Sequence, residues 1–143
     1  YKTDLLSTTT KRKVQNFKTS GNDDTHIILR GGLEPNYHQK DIDNCRVALE
    51  KNEVNANIMV DFSHGNSQKN HENQKNVSAS ICEQIADGNK DIIGVMIESH
   101  LKEGNQKISE GMEYGKSITD ACVNWEETKK LLNDLAQAVM ARR

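Results

Sequence analysis

The chain has 143 residues, 34% of them hydrophobic, with 19 basic against 21 acidic side chains and a formal charge of −2. That length suits one domain with a core of its own, or part of one, and is short for two. The balanced charge excludes a basic field that would draw the chain onto nucleic acid or an anionic membrane, which leaves small-molecule chemistry as the default expectation.

The longest apolar run, IIGVMI at Ile92 to Ile97, is far below the roughly 18 residues a spanning helix needs, and the opening YKTDLLSTTTKRK has no signal-peptide core. No membrane association is expected, and a cytoplasmic location is. Cys45, Cys82 and Cys122 are odd in number, widely spaced and free of any CxxC pattern, so neither a disulfide frame nor a zinc ribbon is indicated. The modest hydrophobic fraction leaves parts of the chain open to disorder. The Tyr1 start, with neither helix cap nor strand alternation behind it, reads as the beginning of a piece of a longer chain.

In chain order, Leu5 to Ser20 fits either two polar strands around a turn or a solvated connection. Three short apolar runs follow, THIIL (Thr25 to Leu29), NIMVDF (Asn57 to Phe62) and DIIGVMI (Asp91 to Ile97). Each is too short for a helix and reads as a buried strand. Between them, Ile42, Cys45 and Leu49 fall at i, i+3 and i+7, and Val77, Ile81 and Ile85 at i, i+4 and i+8. Each set makes one apolar helical stripe. After a long polar connection, Asn124 with Glu127 reads as a capping box. The last helix it opens has Leu131, Leu132, Leu135 and Val139 as its core stripe and Arg142 and Arg143 at its negative end, and Trp125 is expected to pack that helix onto the sheet.

The strand starts Thr25, Asn57 and Asp91 are 32 and 34 residues apart, the length of one βα unit. Near-continuous apolar strands joined by helices predict a parallel sheet covered on both faces, hence an α/β fold, either doubly wound or part of a (β/α)8 barrel. A full barrel takes about 250 residues, so three units would be a little under half of one, with the missing units upstream. Three strands by themselves leave an unpaired edge and an apolar face without partners, which predicts marginal stability.

Each strand runs into polar residues at its carboxyl end, where parallel α/β folds build their sites. THIIL leads to Arg30-Gly31-Gly32, NIMV to Asp61-Phe62-Ser63-His64, and DIIGVMI to Glu98-Ser99-His100. His64 and Glu98 would face one mouth, and an imidazole with a carboxylate suits a divalent Mn, Fe, Co or Zn ion. Their separation of 34 residues gives no local ligand spacing, and a salt-bridged Glu98 is the plain alternative. Arg30 before two glycines fits a fork for phosphate or carboxylate, or equally a surface arginine before a turn. His26, His38, His71 and His100 read as structural or solvated.

Four blocks in order, ILRGG, VDFSHGNS, IGVMIESHLKEGNQ and YGKSITDACVNWE, resemble the C-terminal part of class I 3-deoxy-7-phosphoheptulonate (DAHP) synthase. The likeness runs from about Leu5 to Arg143 and is densest at Gly21 to Gly32, Val60 to Ser67 and Gly94 to Glu126. It implies the last three strands and helices of a (β/α)8 barrel enzyme of the shikimate pathway. Such an enzyme condenses phosphoenolpyruvate with erythrose 4-phosphate, releases phosphate, needs a divalent metal and assembles as a dimer or tetramer.

Carried over by resemblance, His64, Glu98 and Asp120 bind the metal. Arg30 binds the phosphate of phosphoenolpyruvate, and His64, beside it, also serves as substrate-binding and catalytic residue. The family's cysteine ligand and its lysine- and arginine-rich motif lie in the N-terminal half and are not in these residues, and Cys122 of the TDAC block is not that cysteine. Where the family has a regulatory hairpin with glycine and small apolar residues, this chain reads TTTKRKVQNF (Thr8 to Phe17), so residues 1–20 are either a divergent regulatory hairpin or a connection. Three functional readings follow: the C-terminal piece of an active DAHP synthase, inactive alone; a non-catalytic interaction module; or a related synthase such as the 3-deoxyoctulosonate 8-phosphate enzymes, using another aldose.

Overall fold

Short β-branched runs alternating with amphipathic stretches produce the order β1 (Asp4–Thr8), β2 (Val14–Lys18), β3 (Ile27–Leu29), α1 (Gln39–Lys51), β4 (Ile58–Asp61), a short 3-10 turn (His71–Asn73), α2 (Gln74–Ala86), β5 (Ile92–Met96) and α3 (Trp125–Ala141). The computed structural model describes residues 4–8, 13–22, 24–55 and 57–142. Among them no helix is long and apolar enough to cross a membrane.

β4 lies between β3 and β5, and both pairings are parallel. Ile27 sits opposite Ile58 and Leu29 opposite Val60. On the other side Ile58 pairs with Ile92 but Met59 with Gly94, so β5 carries one extra residue, Ile93, at that point. The three predicted strands and their parallel order are thus present, and the chain is α/β.

The core forms where the helical stripes meet one face of the sheet. Ile58, Val60 and Phe62 from the central strand and its extension pack with Ile42 of α1, Val77, Ile81 and Ile85 of α2, Ile92 of β5 and Ala138 of α3. Each of the isoleucine, valine and phenylalanine side chains, taken wholly out of water, contributes on the order of 1.5–3 kcal/mol. Covering of both faces, as predicted, holds for neither edge strand. Leu29 and Val95, in register with Val60, pack against the core, whereas Ile28 and Met96, in register with Met59 and Asp61, are 43% and 39% exposed. The helices cover one face, and no described element covers the other.

The last helix is capped as expected on one side only: the Glu127 N–H donates to Asn124 Oδ1 at 2.9 Å. Glu127 does not return the bond that would complete the box; its carboxylate faces Lys75 at 3.6 Å and so ties α3 to the start of α2. Thr128, Leu131 and Ala138 are buried and Leu135 packs on the core. The stripe therefore follows i, i+3, i+7 and i+10, which leaves Leu132 and Val139 about 100° round the helix. These two, and Trp125 in the first turn, are half exposed, so the expected packing of Trp125 on the sheet is corrected. Arg142 follows the helix at its C-cap, and Arg143 lies outside the described residues.

Of the two readings for Leu5 to Ser20, the paired strands hold. β1 and β2 form a separate antiparallel sheet, with Asp4 opposite Lys18 and Thr8 opposite Val14. Residues 9–12, between the two strands, lie outside the described residues.

The loops after β3 and β4 touch backbone to backbone. Gly31 has φ +74°, and a Cβ there would fall 2.5 Å from the Asn66 nitrogen; a Cβ on Gly65 would fall 2.7 Å from the Gly31 carbonyl carbon. Asn66 locks this approach. Its Nδ2 donates to the Leu29 carbonyl (3.0 Å) and the Asp61 carbonyl (2.8 Å), its Oδ1 accepts from the Asn36 N–H (2.8 Å), and its own N–H reaches the Arg30 carbonyl (3.2 Å). Gly31→Ala is accordingly expected to lower stability by about 1–3 kcal/mol from backbone conformation alone, with the clash added, read as a fall in the urea midpoint. Gly65→Ala should show a loss from the clash without the conformational part.

Candidate metal centre

β4 ends at Asp61; Phe62 then turns into the core, and the chain rises through Ser63 to His64, which adopts φ 52°. A left-handed histidine is costly, and here the following turn holds it: the Lys69 N–H donates to the His64 carbonyl at 2.8 Å and Ser67 Oγ donates to it at 3.3 Å. The side chain is thereby aimed back over the strand end.

Asp61 is 1% exposed, so its carboxylate needs partners. Oδ1 accepts from the Ser63 N–H at 2.9 Å and from Ser63 Oγ at 2.5 Å. Oδ2 lies 2.8 Å from His64 Nδ1 and 4.0 Å from Arg30 Nε. An ionised carboxylate can only accept, which places the imidazole proton on Nδ1 and leaves the lone pair on Nε2. Nε2 stands 3.4 Å from Glu98 Oε1 and 4.0 Å from Asp120 Oδ2.

Asp120 is brought back to Glu98 by the folding of the connection between β5 and α3. The Val123 N–H donates to the Glu98 carbonyl at 3.0 Å, the His100 N–H to the Val123 carbonyl at 3.0 Å, and Gly104 and Cys122 exchange backbone bonds of 2.8 and 3.2 Å. Asn105 Nδ2 donates to the Thr119 carbonyl at 2.8 Å, fixing the residue before Asp120. A small recess is lined by His64, Ser67, Lys69, Glu98, Asp120 and Ala121.

One ligand atom from each of His64, Glu98 and Asp120 lies within 4.8 Å of the other two. Bonds of about 2.1 Å to a shared ion put neighbouring ligand atoms roughly 3.0 to 3.4 Å apart. The His64–Glu98 spacing already matches, and Asp120, its side chain 64% exposed, has freedom to close the remainder. The electrostatics agree. Burial pushes the Glu98 carboxyl above its ordinary range, the charges of Asp120 and Asp61 add to the rise, and His64 and Arg30 oppose it. One imidazole and two carboxylates, with a third carboxylate on the far imidazole nitrogen, form a donor set for a divalent cation and fit the group that the sequence implies.

Arg30 stands at the rim with its side chain 58% exposed, beside Asp61 but with its guanidinium open to a further anion. His100, two residues past Glu98, is exposed and accepts a bond from the Leu101 N–H at 2.8 Å. The thiols of Cys45, Cys82 and Cys122 are free, and the Cys122 Sγ contacts the Asp120 carbonyl at 3.5 Å instead of joining the ligand atoms. Sequence reasoning assigns no role to Asp61 or Asn66. The signal for Asp61 is its position three residues before His64; for Asn66, whose bonds run to distant segments, there is none.

A profile described as "DAHP synthetase I family" matches residues 4–133, a span that includes Arg30, His64, Glu98 and Asp120. The chain belongs to the DAHP synthetase I family. It is 57% identical over 127 residues to the Phe-sensitive phospho-2-dehydro-3-deoxyheptonate aldolase of Escherichia coli (strain K12), covering 87% of this chain and 36% of that protein. It is 54% identical over 132 residues to the tyrosine-inhibited enzyme of the same name from Schizosaccharomyces pombe, covering 87% of this chain and 36% of that protein. The solved phospho-2-dehydro-3-deoxyheptonate aldolase of Francisella tularensis SCHU S4 superposes with a TM-score of 0.92 at 48% identity, over 100% of this chain and 42% of that one. This DAHP synthetase I chain thus spans little more than a third of the length of the curated relatives it matches.

Two outcomes are expected from the geometry. Asp61→Asn removes the charge that orients His64 and should weaken Mn²⁺ binding about 10- to 100-fold by isothermal titration. Glu98 has a folded-state pKa above its unfolded value, so its stabilising contribution is present below the unfolded carboxylate pKa and is lost as pH rises through the folded one. In EDTA, Glu98→Gln should therefore gain Tm relative to the parent chain as pH rises from acid to neutral, while losing the Tm increase that Mn²⁺ gives the parent. Equal Tm values at both pH extremes would contradict this.

Proposed function

We propose that residues 1–143 are the C-terminal part, about three βα units, of one (β/α)8 barrel. The protein they belong to is a cytoplasmic DAHP synthase, working as a dimer or tetramer, that joins phosphoenolpyruvate to erythrose 4-phosphate and releases phosphate. The observation that carries the reading is the convergence of His64, Glu98 and Asp120 within one ligand cluster beside an open Arg30, in a chain of this family. Residues 1–20 would contain that protein's divergent regulatory hairpin, and no feedback ligand is assigned to it.

A divalent Mn, Fe, Co or Zn ion held by His64, Glu98 and Asp120 would supply Lewis-acid polarisation of the aldose carbonyl. The chain's own side chains bind and orient the substrates around that ion. Arg30 presents guanidinium N–H donors to the phosphate of phosphoenolpyruvate, a charge-assisted contact with a defined fork geometry. Asp61 Oδ2 joins Arg30, at 4.0 Å, to His64, at 2.8 Å, so the group that would hold one substrate is fixed relative to the residues that would hold the ion. Asp61 keeps the His64 proton on Nδ1. The relatives share one enzyme name, which favours erythrose 4-phosphate over another aldose.

A second reading, a chain that acts only by associating with another polypeptide, is favoured by one feature: the uncovered sheet face carrying Ile28 and Met96. The two readings separate in one assay. DAHP synthesis from phosphoenolpyruvate and erythrose 4-phosphate with Mn²⁺ is measured for this chain alone and after mixing with a separately made N-terminal half. We expect turnover only in the mixture, falling about 10²-fold or more on His64→Ala, since that change would remove a residue holding an ion that would supply several kcal/mol of transition-state stabilisation. A mixture that forms a complex without turnover would favour the association-only reading.

A further inference from the structure

A glutamine with no exposed surface at the first position of α2 stands next to the ligand cluster without belonging to it. Gln74 is 0% exposed, and both ends of its amide are spent on one residue. Nε2 donates to the Glu98 carbonyl at 3.1 Å, and Oε1 accepts from the Glu98 N–H at 3.1 Å. The side chain thus does for Glu98 what a neighbouring strand does for a residue within a sheet. β5 ends at Met96, and Glu98 lies beyond the last ladder pair.

The residue before it makes the complementary bond. Asn73 Nδ2 donates to the Ser67 carbonyl at 3.0 Å, and Ser67 in turn caps the His64 carbonyl through Oγ at 3.3 Å. Two successive side chains at one helix start therefore hold the loop that carries His64 and the backbone that carries Glu98. Because the Glu98 carbonyl also accepts from the Val123 N–H, the same point is linked to the segment that carries Asp120.

We propose that Gln74 is a positioning residue for metal binding: its amide fixes the Glu98 backbone so that the carboxylate meets His64 Nε2, and Asn73 sets the facing loop from the same helix turn. The proposal rests on the metal-site reading of His64, Glu98 and Asp120. A buried glutamine with a merely structural part would serve stability alone, and the same helix supplies the comparison. Gln84 is likewise buried, and its Nε2 donates to the Tyr37 carbonyl at 2.9 Å, remote from the ligand cluster.

The test is a Mn²⁺ titration of the 143-residue chain, read by the electron paramagnetic resonance signal of the unbound ion, with thermal melts of each variant in EDTA. Gln74→Met should weaken Mn²⁺ binding about 10- to 100-fold, the range for residues that orient ligands. Gln84→Met should lower the melting temperature and leave the Mn²⁺ affinity within about twofold of the parent. Should Gln74→Met not fold, Gln74→Glu takes its place, since it keeps an acceptor for the Glu98 N–H but, ionised, cannot donate to the Glu98 carbonyl; it too should weaken binding by about tenfold or more. Parent-like affinity in a folded Gln74 variant, or an equal loss in Gln84→Met, would overturn the positioning role while leaving the site reading intact. If His64→Ala binds Mn²⁺ as the parent does, the site reading itself fails and this proposal fails with it.

Discussion

A carboxylate buried to 1% exposure at the end of the central strand is the constraint on which the site depends. Asp61 cannot be left unpaired there, and the structure answers with Ser63 and His64 from the segment after β4 and Arg30 from the end of β3. Each partner acquires a fixed role from this. The imidazole proton is drawn to Nδ1, the lone pair is left on Nε2, and Arg30 is held 4.0 Å from Asp61 while staying mostly in solvent. The same carbonyl-rich region is closed by Asn66, which joins β3, β4 and the two glycine loops. His64 and Arg30 are therefore parts of one hydrogen-bonded block.

That block is not optimised for stability. His64 sits at φ 52°, and burial with two neighbouring negative charges holds the Glu98 carboxyl above its ordinary range. Both features oppose folding in the absence of a cation, and the second would be relieved if positive charge entered the cluster. Strain and like-charge crowding of this kind persist only where surrounding contacts over-determine them. Here those contacts are the capped turn after His64 and the backbone bridges that fold Val123 onto Glu98.

How much of this is legible in the sequence follows from the range of each interaction. The strands, the α1 and α2 stripes and the Asn124 cap depend on residues within a turn or two of one another, and they appear where periodicity places them. The edge strands read as buried on both faces because composition does not reveal which strand is central; Ile28 and Ile58 look alike until pairing is known. Leu132 and Val139 belong to an apolar stripe wider than the one the helix buries. His64 and Glu98 are legible because both follow strands, and strand ends share a mouth. Asp120 follows no strand; its place depends on Gly104, Cys122 and Val123 folding back, a non-local event that only the resemblance anticipates. Gln74 and Asn66 are illegible for the same reason, since each bonds to a residue far away in the chain.

The strand register joins the site to the uncovered face of the sheet. Arg30 and Asp61 extend the row of side chains that contains Ile28 and Met59, and Glu98 extends the row that contains Gly94 and Met96, since side chains alternate between faces along a strand. Met59 reaches across to Gly94, where an added Cβ would lie 3.0 Å from the methionine methyl, so the row is also in contact from strand to strand. Slipping β4 by one residue would turn Asp61 to the core face and expose Ile58 and Val60, and slipping β5 would do the same to Glu98 and to Val95, which ties the candidate site to the same register that forms the core. Whatever covers Ile28 and Met96 must therefore approach along the face whose upper end is Arg30, Asp61 and Glu98.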